Sequence, residues 1–231
     1  MKLPAMAAWR GLARRVAPWA ASAAGAWLLG ACASSSIAPQ LYQLRATPPV
    51  PDTELAATPA PQASGPLLQL LLPVTLPEAL ERDAIVVEQG QAGLLALPGH
   101  RWAEPLRDAV PRLLRQDLAA LLGPGRVGVA PLPAGVQVQQ QLRVDVLALQ
   151  ANAARSQVQL QVRWVLSAPA AGAAGPASAP SAAPVPPMTR MQTFSAPVNG
   201  TDVDAIVAAH RLVLWRLAQS LAASAQARER P

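Results

Sequence analysis

Alternation of apolar and polar residues is the clearest pattern along the chain, and it fills two neighbouring stretches, 138–149 and 157–166. In the second stretch, valine, leucine and tryptophan alternate with glutamine and arginine, which is typical of a strand with one face in a core. Residues 151–155 between them predict a hairpin loop. Shorter apolar runs predict further strands at 41–44, 67–72, 84–88, 94–97, 127–130 and 188–196.

Three of the shorter runs carry more specific expectations. The run at 67–72 is almost continuously apolar, which favours a strand buried on both faces. The runs at 84–88 and 94–97 predict a hairpin that Pro98 and Gly99 end. Residues 76–82, between the runs at 67–72 and 84–88, predict a turn or a single helical turn.

The first long helix is predicted over 103–122, where apolar residues recur at helical spacing. Asp117 is the one polar residue of this apolar stripe, and Pro105 suits the first turn. Pro111 conflicts with the helix, because an interior proline removes a hydrogen bond. The helix therefore either bends at Pro111 or begins later than residue 103.

The last helix is predicted to begin near Thr201, which would cap it together with Asp204. Its apolar stripe includes His210, whereas Arg211 and Trp215 lie off the stripe. Residues 225–231 are polar, which predicts a frayed tail.

The first 31 residues have the order of a secretory signal. Lys2 and three arginines precede an apolar run at 16–29, and small residues precede the single cysteine, Cys32. The run is shorter than the roughly 20 residues that a membrane span needs. The Leu-Gly-Ala-Cys ending at Cys32 resembles a bacterial lipobox, which implies cleavage before Cys32 and acylation of it. The alternative is an uncleaved N-terminal anchor with an incidental cysteine.

The predicted elements assemble into one α/β domain with a mixed, mostly antiparallel sheet and two long helices. The domain organisation we predict is a lipoprotein signal peptide at 1–31, a lipid-anchored spacer with a short edge strand at 32–66, a folded domain at 67–226 and a tail at 227–231. Residues 168–187 are nearly all Ala, Pro, Gly and Ser, which indicates a flexible insertion between strands.

The composition of the chain after the predicted signal peptide limits the kinds of partner that we expect. The remaining chain has fifteen arginines against thirteen acidic residues, and aromatic residues are scarce. A nearly neutral chain without material for base stacking gives no reason to expect a nucleic-acid partner. Arginine suits phosphate and carboxylate recognition, although heavy use of arginine throughout explains the count more simply. Acylation of Cys32 would leave no disulfide, so the fold would depend on its core.

Residue patterns for catalysis are missing from the sequence. It contains no G-x-S-x-G, P-loop, H-E-x-x-H or Rossmann glycine pattern. His100 and His210 are too few for a metal site, so we expect a core residue at His210 and a surface or capping residue at His100. The acidic residues of 78–88 favour a solvated loop, with general acid–base catalysis as the alternative. We therefore predict no enzyme, no cofactor and no metal.

Several sequence blocks occur in a recognisable order. They are the lipobox, Tyr-Gln-Leu at 42–44, the stretches 72–77 and 80–86, Arg-Trp-Ala-Glu-Pro-Leu at 101–106, the strand pair 142–166 and the helix 202–218. Together they resemble the ABC-type transport auxiliary lipoproteins, in particular the branch of paraquat-inducible protein C. The residues of the 101–106 block that we single out are Arg101, Trp102, Glu104, Pro105 and Leu106.

The resemblance implies a fold and a function. The implied fold is a three-layer α/β/α arrangement on a mixed sheet. The implied function is that of an outer-membrane lipoprotein in the periplasm, which partners an MCE-domain protein and helps to move lipids between the two membranes. Ring-like homo-oligomers are also implied, and Ala33 after the cysteine favours the outer membrane. The alternative is an outer-membrane lipoprotein that activates another envelope or cell-wall machine.

The block at 101–106 has two physical interpretations. Trp102 offers a large apolar surface with one N–H donor, which suits either a helix start or an interface with a partner. Arg101 and Glu104 would pair across the first helical turn, where a carboxylate also meets the positive helix end.

Overall fold

The computed structural model describes residues 38–49, 67–133, 135–169 and 186–229. Cys32, the signal peptide, residues 50–66 and most of the 168–187 insertion lie outside these ranges, and what the sequence predicts for them stays a prediction. The described residues from Pro39 onward belong to one compact unit.

Eight strands form one mixed sheet among the described residues. They are β1 (Gln40–Tyr42), β2 (Leu67–Leu70), β3 (Ala84–Gln89), β4 (Gly93–Trp102), β5 (Val127–Val129), β6 (Val138–Ala151), β7 (Gln157–Ser167) and β8 (Met188–Pro197). One edge of β6 pairs with β7, and β8 follows β7. The other edge of β6 pairs with β2 and with β3, and the sheet continues from these to β5 and to β4 and β1.

The β6–β7 hairpin confirms the prediction from the alternating runs. The two strands pair antiparallel over most of their length, and the inward residues of β7 are fully buried. The Asn152 side chain closes the loop by accepting the N–H groups of Ser156 and Gln157. A register shift after Val146 moves the alternation by one residue, so that Leu149 still points into the core.

The β3–β4 hairpin is longer than the sequence predicted. Pro98 and Gly99 do not end it, because β4 continues to Trp102. Val86 is opposite Ala96 but Ala84 is opposite Arg101, so β4 bulges between the two pairs. Gly99 supplies the positive φ of 75° within this bulge. The bulge therefore lets one strand continue from the hairpin to Arg101 and Trp102, where it pairs with β1.

Strand β2 corrects a second expectation. It ends at Leu70, and burial alternates along it, so only one face lies in the core. Leu72 is 52% exposed just beyond it. The backbone nevertheless continues beside β6 as far as Thr75, whose N–H donates to the Val144 carbonyl. Glu78–Leu80 then form the single 3₁₀ turn that the sequence predicted.

Helix α1 spans Leu106–Leu122 and contains Pro111. It begins three residues later than predicted, but Pro111 still lies inside it, so the later start does not remove the conflict. Pro105 directly precedes the helix, and its carbonyl accepts the N–H groups of Asp108 and Ala109. Because Pro111 has no N–H, the carbonyl of Arg107 lacks its usual helical donor.

Helix α2 spans Val203–Glu229 and differs from its prediction in two ways. Its cap is Asp202, whose carboxylate accepts the Ala205 N–H at 2.8 Å, so the expected pair of Thr201 and Asp204 is wrong. It also continues to Glu229, which the buried Arg126 binds at 2.5 Å. The polar end of the chain is therefore helical as far as Glu229.

The α/β class, the mixed sheet and the two long helices are confirmed. Both helices pack on the same face of the sheet and contact each other. On the opposite face of β7, Gln159, Gln161 and Arg163 are exposed. The described residues thus build two layers, where the resemblance implied three. Within these residues, no helix has the length and hydropathy needed to cross a membrane.

Candidate functional site

The 101–106 block lies where the N-terminal segment joins the domain. β1 runs parallel to the end of β4 and places Leu41 beside Arg101 and Tyr42 beside Trp102. The Ala103 N–H donates to the Tyr42 carbonyl at 2.8 Å. We call this region the junction, and it comprises residues 40–46, residues 100–106 and the helix side chains that hold them.

Trp102 and Leu106 belong to the hydrophobic core of the junction. Trp102 is 6% exposed, and its ring meets His210 of α2 edge-on with 5.4 Å between ring centroids. Leu106 is 2% exposed and begins α1. Arg101, by contrast, is exposed. The structure therefore gives Trp102, Pro105 and Leu106 the geometry of a helix start, and a partner contact for the block stays a prediction.

Glu104 does not pair with Arg101, as the sequence suggested, but with Arg112 one to two turns along α1. The Arg112 Nη2 donates to Glu104 at 2.6 Å and its Nε donates to the other carboxylate oxygen at 3.2 Å. This hydrogen bond is the main reason that the pKa of Arg112 is raised. The same guanidinium donates to the Leu44 carbonyl at 3.4 Å, so it also contacts the N-terminal segment.

Arg211 and Asp117 form a buried ion pair between α2 and α1. Two guanidinium nitrogens donate to the two carboxylate oxygens at 2.6 and 2.8 Å, and the side chains are 6% and 1% exposed. Arg211 also donates to the carbonyls of Arg45 and Ala46, at 2.7 and 3.2 Å. One residue thus joins both helices to the N-terminal segment.

Burial dominates the protonation equilibria of this region. It raises the pKa of the Asp117 carboxyl, while the hydrogen bonds and the charge of Arg211 oppose the rise. Burial also lowers the pKa of His210 to about 4, against a smaller opposing effect of the Ile206 carbonyl. That carbonyl lies 2.8 Å from the His210 Nδ1, so the neutral ring donates there. The expectation of a satisfied core histidine is confirmed.

The other candidate residues are placed apart from one another. His100 is half-buried in β4, where its Nδ1 lies 3.0 Å from the Tyr42 hydroxyl, so it caps no helix and is only partly exposed at the surface. Glu78, Glu81 and Asp83 have exposed or solvent-facing positions in the loop before β3. Among the described residues, no group of three acidic, histidine or cysteine side chains is close enough to hold a metal ion.

Sequence reasoning missed the ion pair of Arg211 and Asp117. We placed Arg211 and Trp215 off the buried stripe, but they are 5% and 1% exposed. The signal was Asp117, the one carboxylate in an apolar stripe, which needs a buried cation as partner. Spacing alone did not identify Arg211 as that partner, because 94 residues separate the two.

The family described as ABC-type transport auxiliary lipoprotein component matches residues 42–222, which is most of the chain. The chain therefore belongs to this family. The match begins at the junction and ends within α2, so it covers both the block and the buried ion pair.

Two crystal structures have a similar fold. One, of an uncharacterized protein, has a TM-score of 0.59 at 17% identity and covers 81% of this chain and 99% of that chain. The other, of the DUF330 protein XCC0632 from Xanthomonas campestris, has a TM-score of 0.55 at 16% identity and covers 79% and 92%. At these identities the likeness concerns the fold alone. Comparison with curated proteins gives no match.

Proposed function

We propose that the chain is a non-catalytic outer-membrane lipoprotein subunit of an MCE-type system that moves lipids between the inner and outer membranes. The observation that carries the proposal is membership of the auxiliary lipoprotein family over residues 42–222, with a lipobox cysteine ten residues upstream. In this proposal Cys32 carries the acyl chains, and the folded domain faces the periplasm. Its assigned partner is the MCE-domain protein of the system.

Anchoring by acyl chains is physically sufficient for this role. Each buried methylene contributes about 0.8 kcal/mol, and more than one chain gives stable attachment to a membrane. The described domain itself has no helix suited to crossing a membrane. The acyl chains at Cys32 would therefore supply the attachment, while the domain remains free to contact a neighbour.

The junction supports a role in which the domain binds a partner. A segment that links a membrane anchor to a domain can hold that domain in place only if the segment is fixed to it. Here Arg112 and Arg211 donate hydrogen bonds to three consecutive backbone carbonyls, those of residues 44–46. The acidic residues of 78–88 show no buried pair that general acid–base catalysis would use. In this proposal the chain has a binding function, and its assembly as a homo-oligomer that docks on the MCE protein is what the family resemblance implies.

Crosslinking in intact cells tests this proposal. Affinity-tagged protein recovered from crosslinked envelopes is expected to carry an MCE-domain protein, whereas the Cys32→Ala variant is expected to lose it together with the membrane fraction. The tag alone on an unrelated outer-membrane lipoprotein is the matched control. Recovery of cell-wall enzymes without any MCE protein would contradict the proposal and support the alternative envelope role.

A further inference from the structure

A groove runs along the exposed side of α1, beside the backbone that follows β2. It is an open depression with a volume of about 680 Å³. We call it the α1 groove and define it by its lining residues, which are Leu72, Pro73, Val74, Arg107, Asp108, Pro111, Arg112, Arg115 and Val129. Its volume lies within the range of small-ligand sites, about 300–1,000 Å³.

The two walls of the α1 groove differ in chemistry. The wall contributed by residues 72–74 and Val129 is apolar, and Pro111 continues it onto the helix. The other wall carries Arg107 and Arg115, which are both exposed. The one carboxylate of the groove, Asp108, lies 3.8 Å from Arg107, and both side chains are more than half exposed. Arg112 is paired with Glu104, so Arg107 and Arg115 against Asp108 leave the arginine wall with a net charge of about +1.

Charge and shape together point to an amphiphilic anion. Guanidinium groups bind phosphate through paired hydrogen bonds, and the apolar floor beside them suits hydrocarbon. A peptide fits less well, because Pro73 and Pro111 offer no N–H to its carbonyls and an apolar floor leaves its amides without partners.

The α1 groove also borders the N-terminal part of the junction, residues 40–46. Arg112 lines the groove and donates to the Leu44 carbonyl at 3.4 Å. The eight residue-to-residue steps from Cys32 to Gln40 span at most about 28 Å when fully extended. An acylated Cys32 would thus keep the domain within reach of the lipid surface, and this step rests on the proposed function.

We propose that the α1 groove binds the head of an anionic phospholipid, with its phosphate at Arg107 and Arg115 and its first acyl carbons on the proline and valine floor. The site is separate from the buried ion pair of Arg211 and Asp117. It gives the domain a direct contact with lipid in addition to its anchor.

Photocrosslinking to lipid tests the proposal. The full lipidated protein is placed in phosphatidylcholine vesicles that contain a photoactivatable phosphatidylglycerol, and the crosslinked residues are mapped by mass spectrometry. Adducts are expected within 72–74 and 107–115. Arg107→Gln with Arg115→Gln is expected to reduce them about 25-fold, since each arginine near an anionic lipid contributes about fivefold.

The matched control is Arg143→Gln with Arg190→Gln, which removes the same charge from exposed positions on the sheet and is expected to leave the adducts unchanged. Equal loss in both double variants, or adducts confined to other surfaces, would overturn the proposal. Glycerol phosphate that competes as well as a short-chain phosphatidylglycerol would also overturn it, because the apolar floor would then contribute nothing. An acidic protein segment crosslinked in the groove in place of lipid would overturn it as well. The vesicles contain no partner protein, so the result is independent of whether an MCE protein binds the chain.

Discussion

Arg211 and Arg115 lie on the two long helices in opposite surroundings. Arg211 is 5% exposed and donates to the Asp117 carboxylate and to two backbone carbonyls. Arg115 is exposed at the rim of the α1 groove. A guanidinium directed at fixed acceptors holds the fold together, whereas one that faces solvent can meet a ligand. The number of arginines in the sequence thus says less about function than their burial does.

The largest effect is expected from Asp117→Ala. Removing this carboxylate leaves the Arg211 cation buried without a counter-charge, which typically costs 3–5 kcal/mol, so we expect about that loss in the free energy of unfolding. Urea unfolding of the Cys32→Ser protein measures it. Asp117→Leu with Arg211→Met should recover most of the loss, and Asp108→Ala on the same helix should change little. A loss below about 1 kcal/mol would show that the pair is not buried as described.

The next effect concerns acid. The pKa of His210 is about 4 in the folded protein and 6.5 when unfolded, so the unfolded chain takes up the proton first as the pH falls. The stability from the neutral ring is therefore complete above pH 6.5 and is lost between 6.5 and 4. The loss amounts to about 3 kcal/mol.

Unfolding free energies measured across this pH window check the sign and the size. His210→Asn keeps a donor near the Ile206 carbonyl but cannot titrate, so its stability should change less with pH than that of the parent. The same slope in both proteins would mean that another group causes the acid sensitivity.

A smaller effect distinguishes two residues of the 101–106 block. Glu104→Gln breaks the pair with Arg112, whose side chains are 28% exposed, and should cost about 1 kcal/mol. Arg101→Gln changes an exposed side chain and should cost less than about 0.5 kcal/mol. Thermal unfolding of both variants makes the comparison. Equal losses would indicate that Arg101 has a structural partner, as the sequence first suggested.

The smallest effect on stability is expected in the α1 groove. Arg107→Gln with Arg115→Gln removes two exposed cations and should change the free energy of unfolding by less than about 0.5 kcal/mol. We expect this double variant to lose lipid binding and to keep its stability, so its calorimetric unfolding temperature should match that of the parent protein. A large loss of stability would place these arginines with Arg211 as structural residues.

Much of the fold was predictable because it depends on periodicity. Local periodicity determines which faces of these elements are buried, independently of the rest of the chain. This holds for the alternation in β6 and β7 and for the apolar stripe of α1. Element ends were predicted less well. β4 passes through Pro98 and Gly99 because a bulge accommodates both, and Asp202 rather than Thr201 caps α2.

The junction was only partly predictable for a different reason. The 101–106 block identified Trp102 and Leu106, whose burial is a local property of an apolar residue at a helix start. The pair of Arg211 and Asp117 depends on how α1 packs against α2. That packing is determined by contacts between residues that are far apart in the sequence. The α1 groove, likewise, needs α1 and residues 72–74 side by side before its arginines share a surface.

The mass of the protein purified from bacterial envelopes tests the central claim most directly. If the chain is a lipid-anchored auxiliary subunit, the mass will be that of residues 32–231 plus acyl groups, with the modification on the Cys32 peptide. The uncleaved precursor at 24.0 kDa, or a cleaved chain with a free Cys32 thiol, would contradict the account.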